Sequence, residues 1–308
     1  MFTSRLPRTL AALLLACAAA LAQQVADPDF RPAIPRPAYK QGRGPVVLID
    51  EAHHNFHTAS GRYQPFAELL RRDGYRVGAS KEPFTKESLK RARILVISNA
   101  LHERNAGGDW PLPNPSAFTD AEVGAVREWV RGGGSLLLIA DHMPMGGAAR
   151  KLGEAFGVRW SNGFAVVPDA QSPLVFRRAD GTLRDHAITR GVAGGGRIEQ
   201  VATFTGSAFQ PGAGAEPLLV FGKGVVSLTP QVAWQFTEQT PRVEVEGWCQ
   251  GAALRFGKGR VALFGEAAMF TAQLAGPNRA RVGMNAPQAP ENARFLLNVL
   301  RWLAKKSE

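Results

Sequence analysis

Five of the six histidines in this 308-residue chain stand beside carboxylates in three short segments. The first is Asp50-Glu51-Ala52-His53-His54-Asn55-Phe56-His57, the second His102-Glu103, and the third Asp141-His142. A fourth polar segment, Gly265-Glu266, adds a carboxylate without a histidine. Neutral imidazoles and carboxylates are ordinary ligands of zinc and similar divalent ions. Such an ion activates water near neutral pH. Asp50, His53, His54, His102, Asp141 and His142 are therefore candidate metal ligands. Glu51 and Glu266 are candidate general bases. His53 and His57 are spaced i, i+4, but the HExxH pattern of zinc proteases is absent.

Each of these residues also has a structural reading. Asp50 can cap the turn that follows it. His54 and His57 can be solvated loop residues, and Asp141 or His142 can hold loop backbone. His186, in Asp185-His186-Ala187-Ile188-Thr189, is expected to hydrogen-bond backbone rather than to act in catalysis. Other chemistries fail early. No Gly-Lys-Ser or Gly-Lys-Thr precedes a helix, no dinucleotide fingerprint follows the first strand, and no G-x-S-x-G elbow is present. Gly132-Gly133-Gly134 reads as a helix stop and a turn. Cys249 reads as a structural thiol.

The elements that must position the polar segments follow from apolar runs and stop signals. Pro45 to Asp50, Tyr75 to Ala79, Ile94 to Ile97 and Ser135 to Ala140 read as strands. Phe66, Leu69 and Leu70 give the apolar face of a helix with Pro65 in its first turn and Gly74 after its end. Thr119-Asp120-Ala121-Glu122 is a capping box, and Phe118 and Val123 are placed for a hydrophobic staple. A further helix is expected around 146–156. Alternating strands and helices imply right-handed crossovers and a mostly parallel sheet. Residues 45–160 thus read as a doubly wound α/β unit. Residues 161–260 read as an antiparallel-rich insertion, after which Arg260 to Phe264 and a helix carrying Phe295, Leu296, Val299, Leu300 and Leu303 close the same domain over 45–304. In open parallel sheets ligands bind beyond the carboxyl ends of the strands, so the polar segments are expected on one edge.

Residues 1–22 carry the signature of a cleavable signal peptide. Arg5 and Arg8 precede a run from Leu10 to Leu21 that ends in Ala20-Leu21-Ala22. That run is well short of the roughly 20 residues needed to span a bilayer. Leu14-Leu15-Ala16-Cys17 is a competing lipobox that would anchor the chain through Cys17. Cleavage after Ala22 leaves Cys249 as the sole cysteine, and hence no internal disulfide. Residues 23–44 contain Pro28, Pro32, Pro35 and Pro37, and read as a linker or N-terminal arm. The formal charge of +11 falls to +9 without Arg5 and Arg8. The arginines are dispersed, so the charge reads as a solvated surface near anionic envelope polymers. No nucleic acid is expected.

Several of these segments together resemble a known superfamily. The strand ending in Asp50-Glu51-Ala52-His53, the Phe118-Thr119-Asp120 helix entry, Asp185-His186-Ala187-Ile188-Thr189-Arg190-Gly191, and Gly257-Lys258-Gly259-Arg260 leading to Glu266 are similar to motifs of the class I glutamine amidotransferase-like proteins. The likeness is to an uncharacterised exported bacterial branch lacking the nucleophilic Cys. It implies a flavodoxin-like sandwich. True amidotransferases place a cysteine on a strand-to-helix elbow, where this chain has Asp141-His142-Met143, so thiol-dependent glutamine hydrolysis is not expected.

Two functions follow as expectations. One is a metal-dependent hydrolase of the cell envelope holding zinc or a similar divalent ion. The other is a non-catalytic ligand-binding or scaffold module. In either case the partner is a small molecule or an envelope polymer, and the mature chain has no transmembrane helix.

Overall fold

The computed structural model describes residues 24–108, 110–168 and 173–306. The expected signal peptide, with its cleavage after Ala22 or the competing lipidation at Cys17, lies outside these residues.

Nine strands form the main sheet. They are β1 (Val46–Asp50), β2 (Arg76–Ser80), β3 (Ile94–Ser98), β4 (Ser135–Ile139), β5 (Arg159–Trp160), β6 (Phe209–Gln210), β7 (Glu216–Val220), β8 (Cys249–Phe256) and β9 (Gly259–Phe264). The order is β2-β1-β3-β4-β9-β8-β6-β5, with β7 also paired to β8. Strands β2, β1, β3, β4 and β9 run parallel. Strands β5 to β8 are joined on by antiparallel pairing.

The sheet is therefore mixed, and the doubly wound, mostly parallel, flavodoxin-like sandwich is corrected. The physical reason lies in residues 161–248. A parallel crossover needs a helix or a long return, and the described part of that stretch supplies one helical turn, Ala187–Arg190. The chain instead returns through β8 and β9 as a hairpin whose turn uses Gly257 at φ 56°. A left-handed backbone there suits glycine. The segment read as an insertion thus partly extends the main sheet through β5 to β8.

Among the described residues, six helices flank the sheet: α1 (Gln64–Arg72), α2 (Lys86–Leu89), α3 (Asp120–Arg131), α4 (Met145–Glu154), α5 (Ala187–Arg190) and α6 (Asn292–Leu303). Side chains alternate across each strand, so the sheet divides the core in two. Ile94, Val96, Leu137 and Ile139 pack with Phe66 and Leu70 of α1 and with Phe295, Leu296 and Leu300 of α6. Leu95, Ile97, Leu136 and Leu138 pack with Leu89 of α2, Val126 and Val130 of α3, and Ala149 and Leu152 of α4. Thr119 caps α3 with the reciprocal Glu122 bond expected of its sequence. Among the described residues, no helix is long and apolar enough to cross a membrane.

Residues 24–44 lie along this fold. Val25–Ala26 pairs antiparallel with Ala272–Ala275. Arg72 Nη2 donates to Pro32 O at 2.9 Å, Ala38 N donates to Asp73 Oδ1 at 2.8 Å, and Arg301 Nη2 donates to Arg36 O at 2.9 Å. Asp73 and Arg301 are both buried and form an ion pair at 2.6 Å.

Cys249 begins β8 fully buried, and burial pushes its thiol up to about 12 against the weaker pull of Arg184. The thiolate is the reactive form. Native protein at neutral pH is therefore expected to resist a disulfide reagent that reacts with it fully in urea. Rapid native labelling would show that β8 opens.

Candidate functional site

Four strands of the parallel half bring the predicted polar segments to one end of the sheet. Asp50 closes β1, Ser98 closes β3, and Asp141 and Glu266 follow β4 and β9. The loops after them are stitched together by backbone: Phe56 N donates to Asn99 O, and Leu101 N to His53 O, both at 2.9 Å. Asn99 Oδ1 accepts from Asp141 N at 3.0 Å.

His53 sits at the centre of a buried clamp. Its Nδ1 is 2.9 Å from both carboxylate oxygens of Asp50, and its Nε2 is 2.8 Å from Glu122 Oε1. The ring packs beside both Phe84 and Phe118, with centroids at 4.6 and 4.9 Å. Burial pulls the imidazole pKa down, but the Asp50 and Glu122 carboxylates outweigh it and hold the value above 6.5. Burial likewise pushes Glu122 up, and the bonds from His53, Thr119 and Phe84 bring it below its usual value. An imidazolium that donates from both nitrogens has no lone pair for a metal. His53 in this state is a structural cross-link between the β1 loop and the first turn of α3.

The other proposed ligands are dispersed. His54 is exposed, in the left-handed region at φ 46°. His102 Nδ1 accepts from Arg104 N at 3.1 Å and so caps a short 3-10 turn. Glu51 Oε1 accepts from Ala59 N at 2.9 Å. Asp50 also takes bonds from Ala52 N and Asn55 Nδ2. Among the described residues, no three His, Cys, Asp or Glu side chains are placed to hold a metal ion. The donor set drawn from the sequence does not converge. His186 caps α5, its Nδ1 accepting from Ile188 N at 3.1 Å.

Asp141 and Glu266 do meet, as a buried carboxyl pair. Glu266 Oε1 accepts from Ala268 N and Oε2 from Met269 N, both at 2.7 Å. Asp141 accepts from His142 N at 2.8 Å and from Ala267 N at 3.3 Å. Burial, and then the Asp141 charge, push the Glu266 carboxyl well above the usual range, outweighing its backbone donors. The raised value favours the protonated form of Glu266. The fit is tight: Gly206, at φ 123°, passes so close that a Cβ there would strike Gly265 O and approach the Glu266 Cβ.

His57 is buried beside Tyr63, ring centroids 4.5 Å apart, and its Nδ1 has no partner among the described residues. Burial lowers its pKa to about 3, with Arg62 and His142 adding to the shift. A histidine held neutral in the fold contributes stability that is fully present above 6.5 and drains away as the pH falls. Between pH 7 and pH 5 this loss amounts to about 2 kcal/mol. A His57→Phe variant is expected to lose that much less stability than the parent over this interval, read by urea unfolding. Parallel losses in the two proteins would show that His57 is protonated in place.

His142 is the polar member of an aromatic patch. Its Nδ1 is 2.7 Å from Met143 O and so donates to that carbonyl, which in the neutral ring makes Nε2 the acceptor. The ring stacks on Phe164 at 4.6 Å and 10°, and meets Trp234 edge-on at 4.6 Å. Trp110 lies 6.2 Å away, and Phe236 continues the patch from Phe164 at 5.1 Å. Trp110, Trp234 and Phe236 are only half-buried. Trp234 takes φ 69°, a strained backbone for a bulky residue, and such outliers concentrate where ligands bind.

Sequence reasoning passed over Glu122, Tyr63, Asn99, Trp110 and Trp234. Glu122 had a signal in the capping box, but its second role, reaching His53 from 69 residues away, had none. The tryptophans lie on loops without periodicity.

No family model matches the chain, and no curated protein matches it. Solved structures match in fold. The "mmIFT52 N-terminal domain" superposes with a TM-score of 0.58 at 14% identity, covering 85% of this chain and 99% of that one. A cytoplasmic protein from Salmonella typhimurium LT2 gives 0.49 at 16% identity, with 84% and 98% covered. A ThuA-like protein from Bacteroides uniformis gives 0.47 at 14%, with 90% and 97% covered. The first of these, above a TM-score of 0.5, shows a shared α/β fold. The expected placement in an amidotransferase-like branch with a flavodoxin-like sandwich is overturned by the nine-stranded mixed sheet.

Proposed function

We propose that this chain is a non-catalytic binding module of the cell envelope that takes a small molecule or an envelope polymer on the aromatic patch around His142. The observation that carries the reading is how the polar groups at the strand ends are used. The His53 ring gives both nitrogens to Asp50 and Glu122, and Asp141 and Glu266 are held by backbone N–H groups. Chemistry at those residues would first have to break internal bonds. The groups still half-exposed are Trp110 and Trp234, beside a His142 Nε2 that makes no hydrogen bond among the described residues. Aromatic faces beside one acceptor suit a ligand with an apolar ring face and a hydroxyl or amide donor. Export rests on Arg5, Arg8 and the Leu10–Leu21 run.

A hydrolase is the second reading, and the Asp141–Glu266 pair favours it. A buried carboxyl such as Glu266, pushed well above the usual range beside a second acid, is a group of the kind used for acid–base work. The metal-dependent version has no converging donor set among the described residues.

Both readings are separated by titrating tryptophan fluorescence with oligosaccharides and soluble peptidoglycan fragments, while assaying the same mixtures for cleavage. Saturable quenching without product, weakened about tenfold or more in Trp234→Ala, is expected. Product that disappears in Glu266→Gln would establish the hydrolase instead.

A further inference from the structure

The opposite end of the sheet carries a second feature that the polar cluster does not explain. An open cavity of about 450 Å³ is lined by Tyr39, Pro45, Arg76, Lys90, Arg91 and Arg93, together with Val46, Ala92 and Ala304. Pro45 precedes β1 and Val46 begins it, Arg76 begins β2 and Arg93 immediately precedes β3. The cavity therefore sits at the amino ends of the parallel strands. Four of its lining residues are cationic and none is acidic.

The cations are only partly used by the protein. Arg76 Nε donates to Gly44 O at 3.1 Å, and Arg93 Nη1 donates to Gly133 O at 2.8 Å. Their other guanidinium N–H groups have no hydrogen-bond partner among the described residues. Arg91 pairs with Glu82 at 3.1 Å and Lys90 with Glu87 at 3.7 Å, but all four side chains are exposed. Exposed pairs of this kind hold weakly and open readily to another anion. Lys305, next to the lining residue Ala304, donates to the same Gly133 carbonyl as Arg93 and also to Lys258 O. Burial, and then Arg93, Arg260 and Arg255, lower the Lys305 pKa, which marks positive charge crowded behind the cavity wall. Lys306 lies over the Tyr39 ring, 4.6 Å from its centroid.

We propose that this basin is a phosphate-binding site, distinct from the aromatic patch, which takes a phosphate-bearing anion on Arg76, Lys90, Arg91 and Arg93. Guanidinium forks match the oxygen pairs of a phosphate, and lysine adds a point charge. An anion there relieves the mutual repulsion of the cations, where a neutral ligand would not. Such a phosphate has two sources, a soluble phosphorylated molecule or a phospholipid headgroup, and the chemistry of the site is the same for both.

Calorimetric titration of the protein with inorganic pyrophosphate at about 0.15 M ionic strength tests this, at which longer-range charge effects are screened. Flotation with phosphatidylcholine vesicles, with and without phosphatidic acid, runs alongside. Saturable pyrophosphate binding is expected, about tenfold or more weaker in the Lys90→Glu, Arg91→Glu double variant and also weakened in Arg76→Gln. The control, Arg150→Glu with Lys223→Glu, makes the same change in net charge at exposed sites outside the basin lining, and should bind like the parent. Binding to phosphatidic acid vesicles that pyrophosphate displaces assigns the headgroup, and pyrophosphate binding without flotation assigns the soluble source. Absence of binding in both assays overturns the proposal. So does equal weakening in the basin and control variants, which would reduce the effect to net charge.

Discussion

A His53→Ala variant is expected to lose about 3–5 kcal/mol of unfolding free energy, measured by urea unfolding at pH 6. The loss comes from what is left behind. Asp50 is fully buried and Glu122 nearly so, and each has a strong bond to the imidazole. Removing the ring leaves two carboxylates facing a cavity beside Phe84 and Phe118. The pH dependence gives the clamp a signature. His53 has a folded pKa above 6.5, so its contribution is complete below 6.5 and is lost as the pH rises through that raised value. Glu122 has a folded pKa below 4.5, so its contribution is complete above 4.5 and is lost as the pH falls through that lowered value. The clamp is strongest between these limits. The variant should therefore lose less stability than the parent as the pH rises above 6.5. His57 carries the opposite sign, because its neutral form is the one held. A His53→Ala protein as stable as the parent would mean that the ring does not bridge the two acids.

Arg301→Ala is the second large effect, again about 3–5 kcal/mol, because it strands Asp73 as a buried charge. Arg301 gives Nε to Asp73 Oδ2 at 3.1 Å and Nη2 to both Asp73 Oδ1 and Arg36 O. Asp73 in turn accepts from Ala38 N. One residue of α6 thus fixes the end of α1 and the arm at once. The variant should free the arm as well as weaken the core, so limited proteolysis should cut near residues 36–44 before the remainder unfolds. A double replacement, Asp73→Leu with Arg301→Met, removes both charges and should recover most of the loss. If the single and double variants are equally unstable, the arm is held by packing and the ion pair contributes little.

These two networks show where the sequence was legible. Local signals held up well. The Thr119–Glu122 capping box starts α3, Pro65 lies in the first turn of α1, and the spacing of Phe295, Leu296, Val299 and Leu300 places α6 on the sheet. Each depends on neighbours within a few residues. Pairing across long separations was not legible. The hairpin of β8 with β9 carried the same apolar runs as a parallel strand, and only its turn at Gly257 distinguishes it. The short strand Val25–Ala26 meets residues almost 250 positions later. The polar segments were found because they end strands, whereas their roles depended on Glu122, which the sequence assigned only to its own helix.

The most direct test of the central reading, that the acid–histidine cluster binds the fold together and not a metal, is the nitrogen NMR spectrum of the His53 ring at about pH 6, with and without zinc. Below its raised pKa, both Nδ1 and Nε2 should carry protons, with couplings to attached hydrogens and shifts unchanged by zinc. A His53 nitrogen that lacks a proton and moves on adding stoichiometric zinc would contradict the clamp and restore the metal centre.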